Sequence, residues 1–177
     1  MLTLRPLEAA DLPVLEPWFN DAETRHWLGD RRWPANKLGM SGETHLALLG
    51  VLDGAPVGLV DIDTATDHRA AFAIVIAPDQ RRRGLARRMI EACLADARFA
   101  AVFEWFAGVE AGNVASQQLL VSCGFARMTD EDADGFSYFA RRFSGWPRLP
   151  WRPSWSSLPE QSLRGLPKVA WSRATAF

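Results

Sequence analysis

The sequence predicts an α/β (α+β) domain, because strand-like and amphipathic helix-like segments alternate along most of the chain. Residues 70–77 are apolar at every position, which is typical of a central strand covered on both faces. Apolar residues then recur every four positions from Leu85 to Ala97, and this spacing predicts a helix from Gly84 to about Arg98. The total of 177 residues is enough for one domain with a sizeable core.

Before the central strand, the sequence predicts a first strand, two short helices and a hairpin. Asp11 can cap the first helix, and Pro17 should end or kink it. Asp21 can cap the second helix, which Gly29 should stop. Residues 30–43 have no clear period and are expected to form a loop. The hairpin turns at the dipeptide Asp53-Gly54, and the expected strands are residues 2–5, 44–52 and 56–63.

After the central strand and its helix, the sequence predicts a fifth strand, another helix and a last hairpin. Alternation over residues 101–109 should direct four apolar side chains to one face, namely Phe103, Trp105, Ala107 and Val109. Asn113 should cap the next helix and Gly124 should close it. The last hairpin is expected at residues 125–128 and 136–143, around an acidic loop at 130–134.

The C-terminal segment, residues 144–177, has a different composition from the domain at residues 1–143. It is rich in proline and contains four tryptophans, Trp146, Trp151, Trp155 and Trp171. Proline argues against a long regular element, whereas that much aromatic surface argues against a free tail. We expect an irregular extension packed on the domain or on a partner subunit, with Trp146 and Trp151 substantially buried.

Arginines cluster where the helix after the central strand should begin. A helix N-terminus carries a partial positive charge, so each nearby cation costs on the order of 0.3–1 kcal/mol unless an anion sits there. Gly84 and Ala86 leave the backbone accessible, so its N–H groups can point at phosphate oxygens. The segment is therefore predicted to bind an anion through Arg81, Arg82, Arg83, Gly84, Leu85, Ala86 and Arg87.

The pattern Arg81-x-x-Gly84-x-Ala86, placed after an apolar strand, resembles the acyl-CoA pyrophosphate loop of the GNAT superfamily of N-acyltransferases. A second pattern, Asn113-x-x-Ser116 followed by Gly124-Phe125, resembles a helix of the same superfamily. The resemblance covers roughly residues 2–143. It implies a mixed, mostly antiparallel central sheet of six to seven strands, flanked by about four helices and splayed at strands 4 and 5.

This resemblance implies an N-acetyltransferase that moves an acetyl group from acetyl-CoA to a primary amine by direct attack in a ternary complex. Backbone groups of Ile74, Val75 and Ile76 would pair with the pantetheine arm, and the N–H of Val75 or Ile76 would stabilise the oxyanion. Asn113 and Ser116 are expected on the acetyl-CoA side. The acceptor would be a small-molecule or peptide amine.

The residues that would transfer protons depart from the family pattern. Many relatives carry a tyrosine seven residues after the helix-capping asparagine, and this chain has Leu120 there. Asp61, Asp63 and Glu110 remain candidates for a base that acts through water, and Asp63 and Glu110 are the two we assign. A non-catalytic acyl-CoA-binding sensor or regulatory domain remains the alternative function.

Composition narrows the class of protein further. The formal net charge of −1 makes the arginine cluster a local feature and disfavours a nucleic-acid-binding surface. Cys93 and Cys123 suit free thiols in a reducing cytoplasm, and no Cys/His spacing resembles a metal ligand set. The sequence has no signal-peptide pattern at its start and no apolar run of transmembrane length. We expect a cytoplasmic monomer or homodimer that uses acetyl-CoA and no metal.

Overall fold

The fold is a mixed sheet with helices on both faces. A computed structural model of the chain describes residues 1–128 and 135–143. Its strands are β1 Leu2–Pro6, β2 His45–Leu52, β3 Ala55–Thr64, β4 Arg69–Ile76, β5 Glu104–Glu110, β6 Ala126–Arg127 and β7 Phe136–Arg142. Its α-helices are α1 Leu12–Leu15, α2 Ala22–Leu28, α3 Trp33–Met40, α4 Leu85–Leu94 and α5 Val114–Ser122.

The seven strands are ordered β1-β2-β3-β4-β5-β7-β6. Every neighbouring pair is antiparallel except β4 and β5, which are parallel. Antiparallel neighbours need only a short turn, as at Asp53-Gly54, whereas the parallel pair requires a crossover that contains α4. The predicted mixed α/β fold and its mostly antiparallel sheet are confirmed.

Two apolar clusters cover the two faces of the sheet. Side chains of α4 and α5, including Met89 and Leu120, pack against Ile74 and Ile76 of β4. On the opposite face, the segment from α1 to α3 packs against the sheet through Phe19 and its neighbours, and Val75 faces that cluster. Alternation along β4 therefore directs Val75 towards the α1–α3 face and its two neighbours towards the α4–α5 face.

Two elements differ from the sequence-based expectation. The segment at 30–43 contains the helix α3, in which Trp33 stacks on Phe19 with ring centroids 5.8 Å apart. Asn36 and Gly39 interrupt the apolar period there, so packing rather than propensity stabilises the helix. The helix after the arginines ends at Leu94 instead of continuing to Arg98, and Asp96 caps a separate 3-10 turn.

Some expectations concern residues that lie outside the described part of the chain. These are the acidic loop at 130–134 and the extension at 144–177 with Trp146 and Trp151. Within the described ranges, both cysteines are free thiols, as expected, and both are buried. None of the helices in those ranges is long and apolar enough to cross a membrane.

Candidate active site

The sheet opens between β4 and β5. Their register begins at Arg69 opposite Glu104 and ends at Ala71 opposite Phe106. Beyond Ala71, β4 runs on to Ile76 along β3 alone, and β5 pairs over its whole length with β7. The two parallel strands therefore diverge after a short shared segment, which is the splay that the resemblance implied.

The alternation of backbone hydrogen bonds determines which groups of β4 face this opening. The N–H of Ala77 donates to the carbonyl of Val57 across the pair with β3, at 3.0 Å. Because antiparallel partners alternate between hydrogen-bonded and non-bonded pairs, the backbones of Val75 and Ala73 also bond to β3. The N–H and C=O groups of Ile74 and Ile76 therefore point away from β3, into the opening.

A turn at the end of β4 leads into the N-terminus of α4, and four exposed arginines lie on the turn and the first turns of the helix. Gly84 caps the helix in a left-handed conformation with φ of 72°, and a Cβ added there would meet nothing within 4 Å. Leu85 and Ala86 are buried against the sheet, so they fix the helix in place. The exposed arginines at this helix end are Arg82, Arg83, Arg87 and Arg88.

Arg81 lies apart from these four, although the sequence grouped it with them. Its side chain is only 10 % exposed and makes ion pairs with Asp21 at 2.8 Å and Glu23 at 2.6 Å. It also donates to the hydroxyl of Thr24. Burial opposes ionisation of Asp21, but hydrogen bonds from Thr24 and Arg81 outweigh it and hold the pKa of that carboxyl below its usual value. The Arg81 guanidinium thus fastens the turn to the start of α2.

The second motif caps the helix α5. The side chain of Asn113 accepts a hydrogen bond from the N–H of Ser116 at 3.1 Å, and both residues are buried. This contact satisfies one of the free N–H groups at the helix start. Leu120, at the position where the resemblance implied a tyrosine in many relatives, is fully buried in the core beside α4. This cap and the packing of Leu120 therefore fix the position of α5.

The three candidate carboxylates share the α1–α3 face of the sheet but differ in their partners. Asp61 and Asp63 lie on β3, opposite Ala73 and Ala71 respectively, and both make ion pairs. Glu110 lies on β5 and is half-buried. In the part of the chain described, no side chain forms a hydrogen bond or ion pair with its carboxylate. Glu110 is therefore the candidate that is available to accept a proton.

A buried charged cluster, formed by Lys37, His45, Asp61 and Asp63, was not expected from the sequence. The ammonium of Lys37 lies 2.5 Å from Oδ2 of Asp61. His45 contacts Oδ1 of Asp61 through Nε2 at 2.7 Å and Oδ1 of Asp63 through Nδ1 at 2.5 Å. The side chains are between 3 % and 16 % exposed. A histidine at the start of an apolar strand, opposite two aspartates on one face, was the signal available in the sequence.

The charges of this cluster balance. Burial alone would lower the pKa of His45, but the neighbouring carboxylates of Asp61 and Asp63 raise it to about 9. His45 is therefore protonated at neutral pH. Two carboxylates then face one imidazolium and one ammonium, so the cluster is neutral as a whole.

The same residues do not form a convincing metal site. His45, Asp61 and Asp63 each place one ligand atom within 4.8 Å of the others. However, Nδ1 of His45 is bonded to Asp63, and Oδ2 of Asp61 is bonded to Lys37. Two of the candidate ligand atoms are therefore already engaged within the protein. A neighbouring ammonium also repels a cation.

The raised pKa of His45 predicts a loss of stability at alkaline pH. The folded-state pKa of about 9 exceeds the ordinary value of 6.5, so the stabilising effect of protonation is complete below pH 6.5 and is lost as the pH rises through 9. We expect the free energy of unfolding to fall across this window by up to about 1.4 kcal/mol per pH unit. Urea denaturation at several pH values measures this slope.

The matched variants are His45→Gln, which should flatten the slope, and His26→Gln, which should keep it. His26 is an exposed histidine that makes an edge-to-face contact with Trp27 and lies outside the cluster. An unchanged slope in His45→Gln would show that other groups cause the pH dependence.

Comparisons with known proteins agree with this geometry. Residues 1–126 match the family model described as an acetyltransferase (GNAT) domain. An uncharacterized N-acetyltransferase, YfmK of Bacillus subtilis strain 168, is 26 % identical over 136 residues, which is 73 % of this chain and 89 % of the relative.

Solved structures share the fold at lower identity. A coenzyme A complex of the aminoglycoside acetyltransferase AAC(6')-Ib has a TM-score of 0.69 and 21 % identity, covering 80 % of this chain and 95 % of that chain. An acetyltransferase from Thermus thermophilus has a TM-score of 0.69 and 22 % identity, covering 81 % of this chain and 97 % of that chain. Mutant forms of the Vibrio cholerae spermidine/spermine N-acetyltransferase SpeG have a TM-score of 0.60 and 20 % identity, covering 80 % of this chain and 95 % of that chain.

Proposed function

The chain belongs to the GNAT family of acetyltransferases, and from that premise we propose that it transfers an acetyl group from acetyl-CoA to a primary amine by direct attack in a ternary complex. The observation that carries the proposal is the opening between β4 and β5, which leads directly to the arginine turn at the N-terminus of α4. Acetyl-CoA needs such an arrangement. Its pantetheine arm, which ends in the thioester, must be held extended, and the charge of its pyrophosphate must be neutralised.

The arginine turn fits a pyrophosphate on three counts. The helix start presents N–H groups, the left-handed Gly84 leaves its surroundings open, and Arg82, Arg83 and Arg87 are exposed beside it. Arg81 is proposed to act indirectly, because its guanidinium is engaged with Asp21 and Glu23. Asn113 and Ser116 support the acetyl-CoA side by capping α5.

The main chain of β4 is proposed to hold the pantetheine arm and to stabilise the oxyanion. The N–H groups of Ile74 and Ile76 point into the opening, whereas that of Val75 bonds to β3. We therefore assign the oxyanion donor to Ile74 or Ile76 in place of Val75. Loss of one such donor typically lowers kcat by a factor of about 10²–10³.

Glu110 is proposed as the base that receives the amine proton, through a water molecule. The register of Arg69 opposite Glu104, extended along both strands, brings Glu110 level with Val75 across the opening. This position faces the groups of β4 that would hold the thioester. Asp63 is the weaker assignment, because its carboxylate is already bonded to His45.

The acceptor is proposed to be a small molecule or peptide that carries a primary amine. The names of the similar structures mention aminoglycosides, which are amino sugars, and the linear polyamines spermidine and spermine. A panel of kanamycin, spermidine and short peptides with free N-termini tests the proposal, with release of free thiol from acetyl-CoA as the signal. Binding of acetyl-CoA without thiol release for any amine would favour the acyl-CoA sensor.

We also propose that residues 1–143 form the catalytic domain and that residues 144–177 form an extension packed on it or on a partner subunit. The family match at residues 1–126 lies within the first of these.

A further inference from the structure

We propose that Asp61 and Trp33 form a binding site for the ammonium group of the acceptor, and that Lys37 is an internal ammonium which the acceptor displaces. This inference rests on the proposed function, because it takes the acceptor to be a primary amine. It assigns the buried cluster a role in substrate binding.

The position of Asp61 places this site one strand away from the opening, across β4. Asp61 lies opposite Ala73 of β4. The last residue of β4 that pairs with β5 is Ala71, two positions before Ala73. Val75, on the same face, is two residues further along, which is about 7 Å in a strand. Neighbouring strands lie about 4.8 Å apart, so an amine held at Asp61 is one strand away from β4, on the face that Val75 shares.

The contacts of Lys37 show that this site recognises an ammonium. Its Nζ atom lies 2.5 Å from Oδ2 of Asp61 and 5.5 Å from the centroid of the Trp33 ring. A carboxylate and an aromatic face are two kinds of group that bind ammonium ions in proteins. Trp33 is held in place by stacking on Phe19, so the site is formed before a ligand arrives.

Asp61 also retains capacity for a further hydrogen-bond donor. Its Oδ1 atom is buried and, within the described residues, has no aligned donor, although Nε2 of His45 is nearby. A carboxylate accepts several hydrogen bonds, and a primary ammonium supplies three donors. A ligand ammonium can therefore satisfy an oxygen that Lys37 leaves unsatisfied.

Lys37 is the member of the cluster that can leave. His45, Asp61 and Asp63 lie on sheet strands, whereas Lys37 comes from α3, a helix of only eight residues. The lysine ammonium stands on a flexible four-carbon stem, so it can turn away while α3 and Trp33 stay in place. When Lys37 leaves, the cluster gains an excess negative charge, so the vacated site selects a cation. Exchange of one ammonium for another keeps the cluster neutral.

Lys37→Met tests this exchange, with propylammonium chloride as the probe and propanol as the uncharged control. Calorimetry should show that propylammonium binds the variant at least about 10-fold more tightly than the wild type, because the competing internal ammonium is gone. Propanol should not bind either protein. The double variant Lys37→Met/Asp61→Asn should lose the propylammonium site, since it lacks the carboxylate.

Each outcome decides the proposal. Equal binding of propylammonium to the wild type and Lys37→Met, or retained binding in the double variant, would overturn it. If Lys37→Met does not fold, propylammonium in the refolding buffer should restore folded protein, and failure to do so also overturns the proposal. These measurements need no acetyl-CoA, so they are independent of acetyl transfer, which acetyl-CoA titration and thiol release test separately.

Discussion

Replacing Gly84 with aspartate is expected to weaken acetyl-CoA binding by at least about 100-fold, whereas Gly84→Asn should stay within a few-fold of the wild type. Gly84 caps α4 at the proposed pyrophosphate site, and its surroundings have room for a side chain. Two charges about 4 Å apart interact by roughly 1–4 kcal/mol near a protein surface, and about 2.7 kcal/mol corresponds to 100-fold.

The comparison with asparagine isolates the charge. Asparagine and aspartate have nearly the same shape, and both tolerate the left-handed conformation better than most residues. Any strain at φ of 72° is therefore shared by the two variants. Isothermal titration of acetyl-CoA gives both affinities, and circular dichroism reports whether each variant is folded. Equal affinities for Gly84→Asp and Gly84→Asn would place the pyrophosphate elsewhere.

Changing Glu110 to glutamine is expected to lower kcat by about 10²–10⁴, the usual contribution of a general base. The affinity for acetyl-CoA should be unchanged, because Glu110 lies across the opening from β4 and apart from the arginine turn. Steady-state thiol release gives kcat, and titration gives the affinity. The rate of the wild type should rise with pH, because an amine with a pKa near 10 must lose a proton before it attacks.

Glu91→Gln is the matched control, since Glu91 is an exposed glutamate on α4, outside the proposed proton path. It should retain wild-type kcat. A Glu110→Gln enzyme that turns over within a few-fold of the wild type would remove Glu110 from the mechanism. Asp63 would then become the remaining assigned base.

Local signals in the sequence were sufficient for most of the fold. The Asp53-Gly54 turn specified the hairpin of β2 and β3, and the unbroken apolar run specified a central strand at β4. The arginine turn and the start of α4 were also predicted, because helix starts depend on nearby residues such as Gly84. These features depend on neighbours along the chain, so one sequence is enough to identify them.

The contacts that the sequence did not predict join distant residues. Arg81 pairs with Asp21, sixty positions earlier, so its separation from the other arginines depended on the packing of α2. His45 meets Asp63 across eighteen positions, and Lys37 reaches Asp61 only because α3 folds over the sheet. The backbone N–H and C=O groups of Val75 face β3, and this direction could be deduced only from the register of Val75 with Leu59. Tertiary packing determines each of these contacts.

Mass spectrometry of the amine after incubation with acetyl-CoA and the purified chain tests the central claim most directly. We predict that at least one primary amine of the panel gains the mass of one acetyl group, that free thiol appears in equal amount, and that Gly84→Asp strongly lowers both products at subsaturating acetyl-CoA. An acetylated amine formed equally well by Gly84→Asp, or no acetylated amine in a panel spanning aminoglycosides, polyamines and peptides, would contradict the account.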